Sequence, residues 1–231
     1  MILCQSMLFL VVTFLPFFSL PAKAAEKSEK GIALRLLACE AGKEQAKVFL
    51  ETKGFKSEVF DLPSSAFSEP IAVSARSVEL KAPDKDVPLC NITLPAEGKS
   101  FVVLLASEKP AGFLSFVVRQ DDDSFKAGDY YFVNRSANTV VLKLGGTEVV
   151  LESGNSVKSR PTDAEQNHYY NITMSARADA EDKVFASTRW PLLNPNRSYI
   201  IFLTGSNGRT TYRSVDQLVD VEEPVGKKKK R

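Results

Sequence analysis

Four groups of residues in this chain have the types and spacing to do chemistry. Asp121, Asp122, Asp123 and Ser124, with Asp129 close behind, place several oxygen ligands within nine residues, a donor set that Ca²⁺ accepts. Asp121, Asp123 and Asp129 are the candidate calcium ligands. The spaced Asp-x-Asp-x-Asp-Gly loop with its closing Glu is missing, so a solvated loop is the competing reading. A secreted hydrolase would draw a carboxylate pair from the same aspartates, yet no spacing specifies one. His168 is the one histidine, so any triad would have to use it, and no Gly-x-Ser-x-Gly elbow supplies a nucleophile. One His and two Cys are too few ligands for zinc. The residues therefore point to a protein with no catalytic site and no cofactor.

Cys39 and Cys90 are the second group. Cys4 lies in an N-terminal segment that reads as a secretion signal, which leaves these two for an oxidising compartment. Cys90, Ile92 and Leu94 share one strand face and point inward. A bridge closing this loop of about 52 residues would stabilise the fold by roughly 4 kcal/mol on the chain-entropy model; two free buried thiols are the alternative. The third group is aromatic: Tyr169 and Tyr170 send one ring to each face of a strand, and an exposed ring could stack on a sugar, as in a carbohydrate-binding module. The fourth comprises the sequons at Asn91, Asn134, Asn171 and Asn196, four of nine asparagines, each of which must face solvent to carry a glycan.

The elements that would position these groups begin after residue 24. Residues 7–20 (MLFLVVTFLPFFSL) are apolar and uncharged, and Pro21-Ala22-Lys23-Ala24 supplies the small-residue cleavage pattern. No Lys or Arg precedes the run, so an uncleaved membrane tether is the alternative to a secreted or periplasmic product. The net charge of +2 is misleading. Of 30 basic residues, Lys23 leaves with the signal and Lys227, Lys228, Lys229, Lys230 and Arg231 form the tail, so the body carries 24 against 28 acidic residues. That excludes a nucleic-acid surface on the body. The tail could attract an anionic surface, at about 1 kcal/mol per basic residue in the best case.

From Ile32 onward the chain reads as short Val-, Ile-, Phe- and Thr-rich runs separated by turn residues. Strands are expected at 32–39, 46–52, 55–62, 71–75, 77–81, 90–94, 101–106, 113–119, 129–134, 139–144, 147–151, 156–160, 168–176, 183–190, 198–204 and 209–215. No full helix is expected, only small helical turns such as at 41–46 or near 162–166. Val140 to Leu144 and Thr147 to Leu151 flank Gly145-Gly146, which predicts a tight hairpin. Lys99-Ser100-Phe101-Val102-Val103-Leu104-Leu105-Ala106 matches Arg197-Ser198-Tyr199-Ile200-Ile201-Phe202-Leu203-Thr204 type for type at a spacing of 98. Duplication of a sandwich of about 100 residues explains this; so does the general likeness of buried strands.

Lys126-Ala127-Gly128-Asp129-Tyr130-Tyr131-Phe132-Val133 resembles the corner leading into strand F of immunoglobulin-like domains, with Phe132 where that family has a cysteine. Residues 134–144 also resemble the opening strands of other sandwich domains. The resemblance implies a sandwich and no particular function. The expectation is an all-β antiparallel sandwich, as two Ig-like units in tandem or one duplicated large sandwich. Its parts are a signal peptide at 1–24, a mobile leader at 25–31, units at 32–120 and 121–218, and a disordered basic tail at 219–231. Its expected role is non-catalytic binding or structure, with an unidentified protein or glycan as partner.

Overall fold

The computed structural model describes residues 31–40, 47–108, 112–163, 169–178, 181–191 and 195–219. The expected signal, most of the expected leader, the helical turn expected near 41–46, His168 and the basic residues of the expected tail lie outside the described residues. The first half holds β1 (Ile32–Ala38), β2 (Lys47–Thr52), β3 (Phe55–Lys56), β4 (Phe60–Asp61), β5 (Ile71–Val73), β6 (Ser77–Lys81), β7 (Cys90–Thr93), β8 (Ser100–Glu108) and β9 (Gly112–Arg119). The second holds β10 (Tyr130–Arg135), β11 (Thr139–Leu144), β12 (Thr147–Leu151), β13 (Ser156–Ser159), β14 (Tyr169–Ala178), β15 (Glu181–Pro191), β16 (Asn196–Thr204) and β17 (Thr210–Leu218). Among the described residues there is no helix, and the expected all-β sandwich architecture is present.

The strands form four sheets stacked in four layers. The first outer sheet has the order β3-β2-β6-β7, with β4 also on β2, and faces an inner sheet of order β5-β1-β8-β9. The second inner sheet, β13-β10-β16-β17, faces the second outer sheet, β12-β11-β14-β15. Pairing is antiparallel except where β1 meets β8 and β10 meets β16. Leu34, Leu36, Val48, Leu50, Val78, Leu80 and Ile92 fill the first sandwich. Phe132, Leu142, Ile172, Met174 and Phe202 fill the second. A third core joins the two inner sheets through Leu37, Val102, Leu104, Val133, Tyr199 and Ile201.

That central core explains the uninterrupted apolar runs. Phe101, Val103 and Leu105 of β8 look into the first sandwich, while Val102, Leu104 and Ala106 look into the central core. A strand buried on both faces loses the alternation of a half-exposed one. By contrast β7, covered on one face, alternates buried and exposed residues from Cys90 to Thr93.

Strand for strand, the two sandwiches share one topology: β1, β2, β3, β5, β6, β7, β8 and β9 correspond to β10 through β17, with β4 as an addition. The eight-residue sequence match is nonetheless out of phase. It superposes Phe101, which enters the first sandwich, on Tyr199, which enters the central core. A slip of one residue exchanges the faces of a strand. The corner at residues 126–133 enters β10, an opening strand of its sandwich, and not a penultimate one. The predicted hairpin is present, with Leu144 paired to Thr147 around Gly145-Gly146.

The expected disulfide is not formed: Cys39 and Cys90 are both free and buried. Alternation is the reason. Leu36 and Ala38 face the first sandwich, so Cys39 faces the central core, while Cys90 on β7 faces the first sandwich. The first inner sheet stands between the sulfurs. Burial pushes the Cys39 thiol up to about 12 and raises that of Cys90, which removes the reactive thiolate.

Candidate functional site

The acidic segment lies between β9 and β10, and its carboxylates are committed to separate tasks. Asp121 accepts from the Lys99 N–H at 2.7 Å and from Arg119 Nε at 2.9 Å. Asp122 accepts from the Ser124 N–H and hydroxyl and meets Lys158 Nζ at 3.2 Å. Asp129 is buried, caps the Lys126 N–H at 2.6 Å and pairs with Arg160 Nε at 2.5 Å. Among the described residues no group of three or more His, Cys, Asp or Glu could hold a metal ion. The candidate calcium ligands Asp121, Asp123 and Asp129 are therefore not brought together as a metal site. Nor is the segment a loose linker: Phe125 is buried in the central core, and Arg197 donates to the carbonyls of Gln120 and Phe125.

The Ser124 hydroxyl, then its N–H, and then Lys158 hold the Asp122 carboxyl down to about 2. A carboxyl depressed on folding adds stability above its unfolded value near 4, and that stability is lost as pH falls toward 2. An NMR pH titration should place Asp122 near that value, and Ser124→Ala should raise it. A titration unchanged by Ser124→Ala would refute the assignment.

The tyrosine pair splits as alternation requires, Tyr170 at 8 % exposure in the second core and Tyr169 at 43 % on the outer face. Of the sequons, Asn91 and Asn171 are exposed and Asn196 is half-buried. Asn134 is fully buried: its amide donates to the carbonyls of Asn138 and Leu151 while its oxygen accepts from Ser136. That sequon cannot carry a glycan on the folded protein, because the amide is buried with both hydrogens bonded to carbonyls.

A groove of about 680 Å³ runs along one edge of the first sandwich, between the β3–β4 segment and β5. The sequence reading did not find it. Phe55, Phe60 and Ile71 form its floor, half-buried against the first core, and Val59 is 48 % exposed at its wall. The groove lies where the chain leaves β2 between Ser57, whose N–H still donates to the Leu50 carbonyl at 2.9 Å, and Phe60, where pairing with β2 resumes. At the break, the Ser57 hydroxyl accepts from the Leu50 N–H and donates to the Glu58 carbonyl. Ser68 does the same across the groove, accepting from the Leu36 N–H and donating to the Glu69 carbonyl. Each serine replaces a missing ladder partner, so neither hydroxyl proton is free for a nucleophilic role.

Two other sandwich edges are bridged. Phe113 N–H donates to the Leu89 carbonyl at 2.8 Å on the far side of the first sandwich. In the second, the edge equivalent to the groove is bridged by Gly145 and Thr162, reinforced by a 2.9 Å contact between the Thr147 and Thr162 hydroxyls. The chain matches no protein-family model, and no curated protein is significantly similar to it.

Proposed function

We propose that the protein is an exported, non-catalytic binding module whose ligand site is the groove between β3–β4 and β5. The observation that carries this reading is the combination of an apolar floor left open at one sandwich edge with serine hydroxyls that are all spent on backbone. Such a site can hold a ligand, and its two serines are engaged with backbone rather than poised as nucleophiles. Export rests on the apolar run at 7–20 and the cleavage pattern ending at Ala24. The Ig-like likeness is one of architecture: in immunoglobulins the first two strands share a sheet, whereas β1 and β2 lie in facing sheets. The basic tail adds attraction to anionic surfaces.

A glycan ligand is the second reading, and Tyr169 on the outer sheet supports it. It has one exposed ring, with Pro191 as its cross-strand neighbour, against a groove floored by two phenylalanines, so the protein or peptide partner is preferred. An amide NMR titration against peptide and oligosaccharide pools tests the choice. Shifts gathered over residues 55–72 are expected; shifts confined to the surroundings of Tyr169 would transfer the function to glycan binding, and turnover of any ligand would overturn the non-catalytic reading.

A further inference from the structure

The backbone at the groove's β5 wall is turned outward. Ala33 donates its N–H to the Lys99 carbonyl beside β8, and successive residues of a strand alternate the side to which they bond. Leu36 and Ala38 accordingly donate the other way, to the Ser68 hydroxyl and the Pro63 carbonyl. Ala33 is paired with Ala72, so this is a non-bonded pair of the β1–β5 ladder, and the N–H and C=O of Ala72 point away from β1 into the groove. Pro70 and the end of β5 at Val73 confine the free edge to this short stretch. Sheet edges of this kind accept an added strand.

The rim sets the charge of what would bind. Glu58, Asp61 and Glu69 are exposed around the groove. Its one lysine, Lys56, holds its ammonium 4.2 Å over the Phe49 ring. Phe49 is on the face of β2 opposite Val48 and Leu50, which enter the first core, so this cation is drawn to the outside of the sheet and the acidic side chains dominate the rim.

We infer that the groove takes an extended peptide by strand addition at Ala72, with apolar side chains on the residues flanking the one opposite Ala72 and basic side chains beyond them. This rests on the groove being the ligand site. In the added strand, the residue opposite Ala72 exchanges both backbone bonds with it. Its two neighbours lie opposite Ile71 and Val73, whose side chains enter the first sandwich, so they meet the floor at Phe55 and Phe60. The basic ends meet Glu58 and Glu69.

The test uses the full mature chain and a fluorescein-labelled peptide, Lys-Lys-Val-Thr-Val-Lys-Lys, read by anisotropy. Its acidic counterpart, with Glu for each Lys, should bind at least about tenfold more weakly, since like charges repel across the rim. N-methylation of the central Thr and the Ala72→Pro substitution should each weaken binding about tenfold, the upper worth of one hydrogen bond. Proline is tolerated where an edge N–H faces outward, and the N-methyl arm stands on the native protein should Ala72→Pro unfold. Glu58→Lys with Glu69→Lys should reverse the preference between the two peptides. Binding indifferent to both N-methylation and Ala72→Pro, or no binding of this peptide while other ligands shift residues 55–72, would overturn strand addition and leave the groove as the ligand site. Absence of any ligand-induced shift at residues 55–72 would overturn the groove itself.

Discussion

Tyr199→Ala should destabilise the protein by about 3–5 kcal/mol, the cost of truncating a large buried aromatic to alanine. Tyr199 is fully buried at the middle of the central core, on a strand of the second inner sheet. Its ring meets Phe67 edge-on at 5.1 Å and Phe125 at 5.8 Å. These three aromatics come from β16, the loop before β5 and the segment between β9 and β10, so one ring ties both sandwiches and their connection together. Burial pushes the phenol up to about 12, and its hydroxyl donates to Gln217 at 3.0 Å. Tyr199→Phe keeps the ring contacts and loses one net hydrogen bond, about 1 kcal/mol. Urea unfolding should show a single transition for the native chain and for Tyr199→Phe. For Tyr199→Ala it should show an earlier, broader or split transition, because the sandwiches lose their shared centre. A midpoint unchanged by Tyr199→Ala would show that the central core does not couple them.

Much of this architecture was legible because strands advertise themselves through period and turn residues. The strand runs, the Gly145-Gly146 hairpin and the divergent faces of Tyr169 and Tyr170 all follow from alternation and turn chemistry. What alternation cannot supply is which layer a face meets. Cys39 and Cys90 both read as inward, and both are inward, but toward different cores on either side of one sheet. The same blindness set the repeat one residue out of phase, since runs buried on both faces match in either register. Phe67 and Phe125 sit in polar loops and carry the central core; a lone aromatic among charged residues was the available signal. The groove was harder still. It arises where the chain leaves β2 between Ser57 and Phe60, and only the tertiary ladder shows where a partner is missing. Aspartate spacing suggested a shared site, whereas Asp121, Asp122 and Asp129 each bond to a local N–H and a different basic side chain.

Gly145→Ala should cost about 2–4 kcal/mol, from a left-handed backbone that disfavours alanine together with overpacking. Gly145 has φ +60°, and a Cβ there would lie 2.0 Å from the Thr162 carbonyl oxygen. That oxygen belongs to backbone and cannot rotate aside. It also accepts from the Gly146 N–H at 3.2 Å, within the bridge that closes the edge of the second sandwich. Relief therefore requires the bridge to open, which separates the hairpin turn from the segment that follows β13. Gly146→Ala is the informative contrast. Its nearest atom is the Asp163 carboxylate oxygen at 1.9 Å, the end of a side chain that can swing toward solvent, so the loss should be smaller. Paired thermal melts should rank Gly145→Ala well below Gly146→Ala. The Gly145→Ala protein should also gain amide exchange at Gly146 and Thr147, where the bridge protected the turn. Equal melting points for the two variants would mean that the Thr162 contact does not hold this edge shut, and the contrast between a closed second sandwich and an open first one would lose its physical basis.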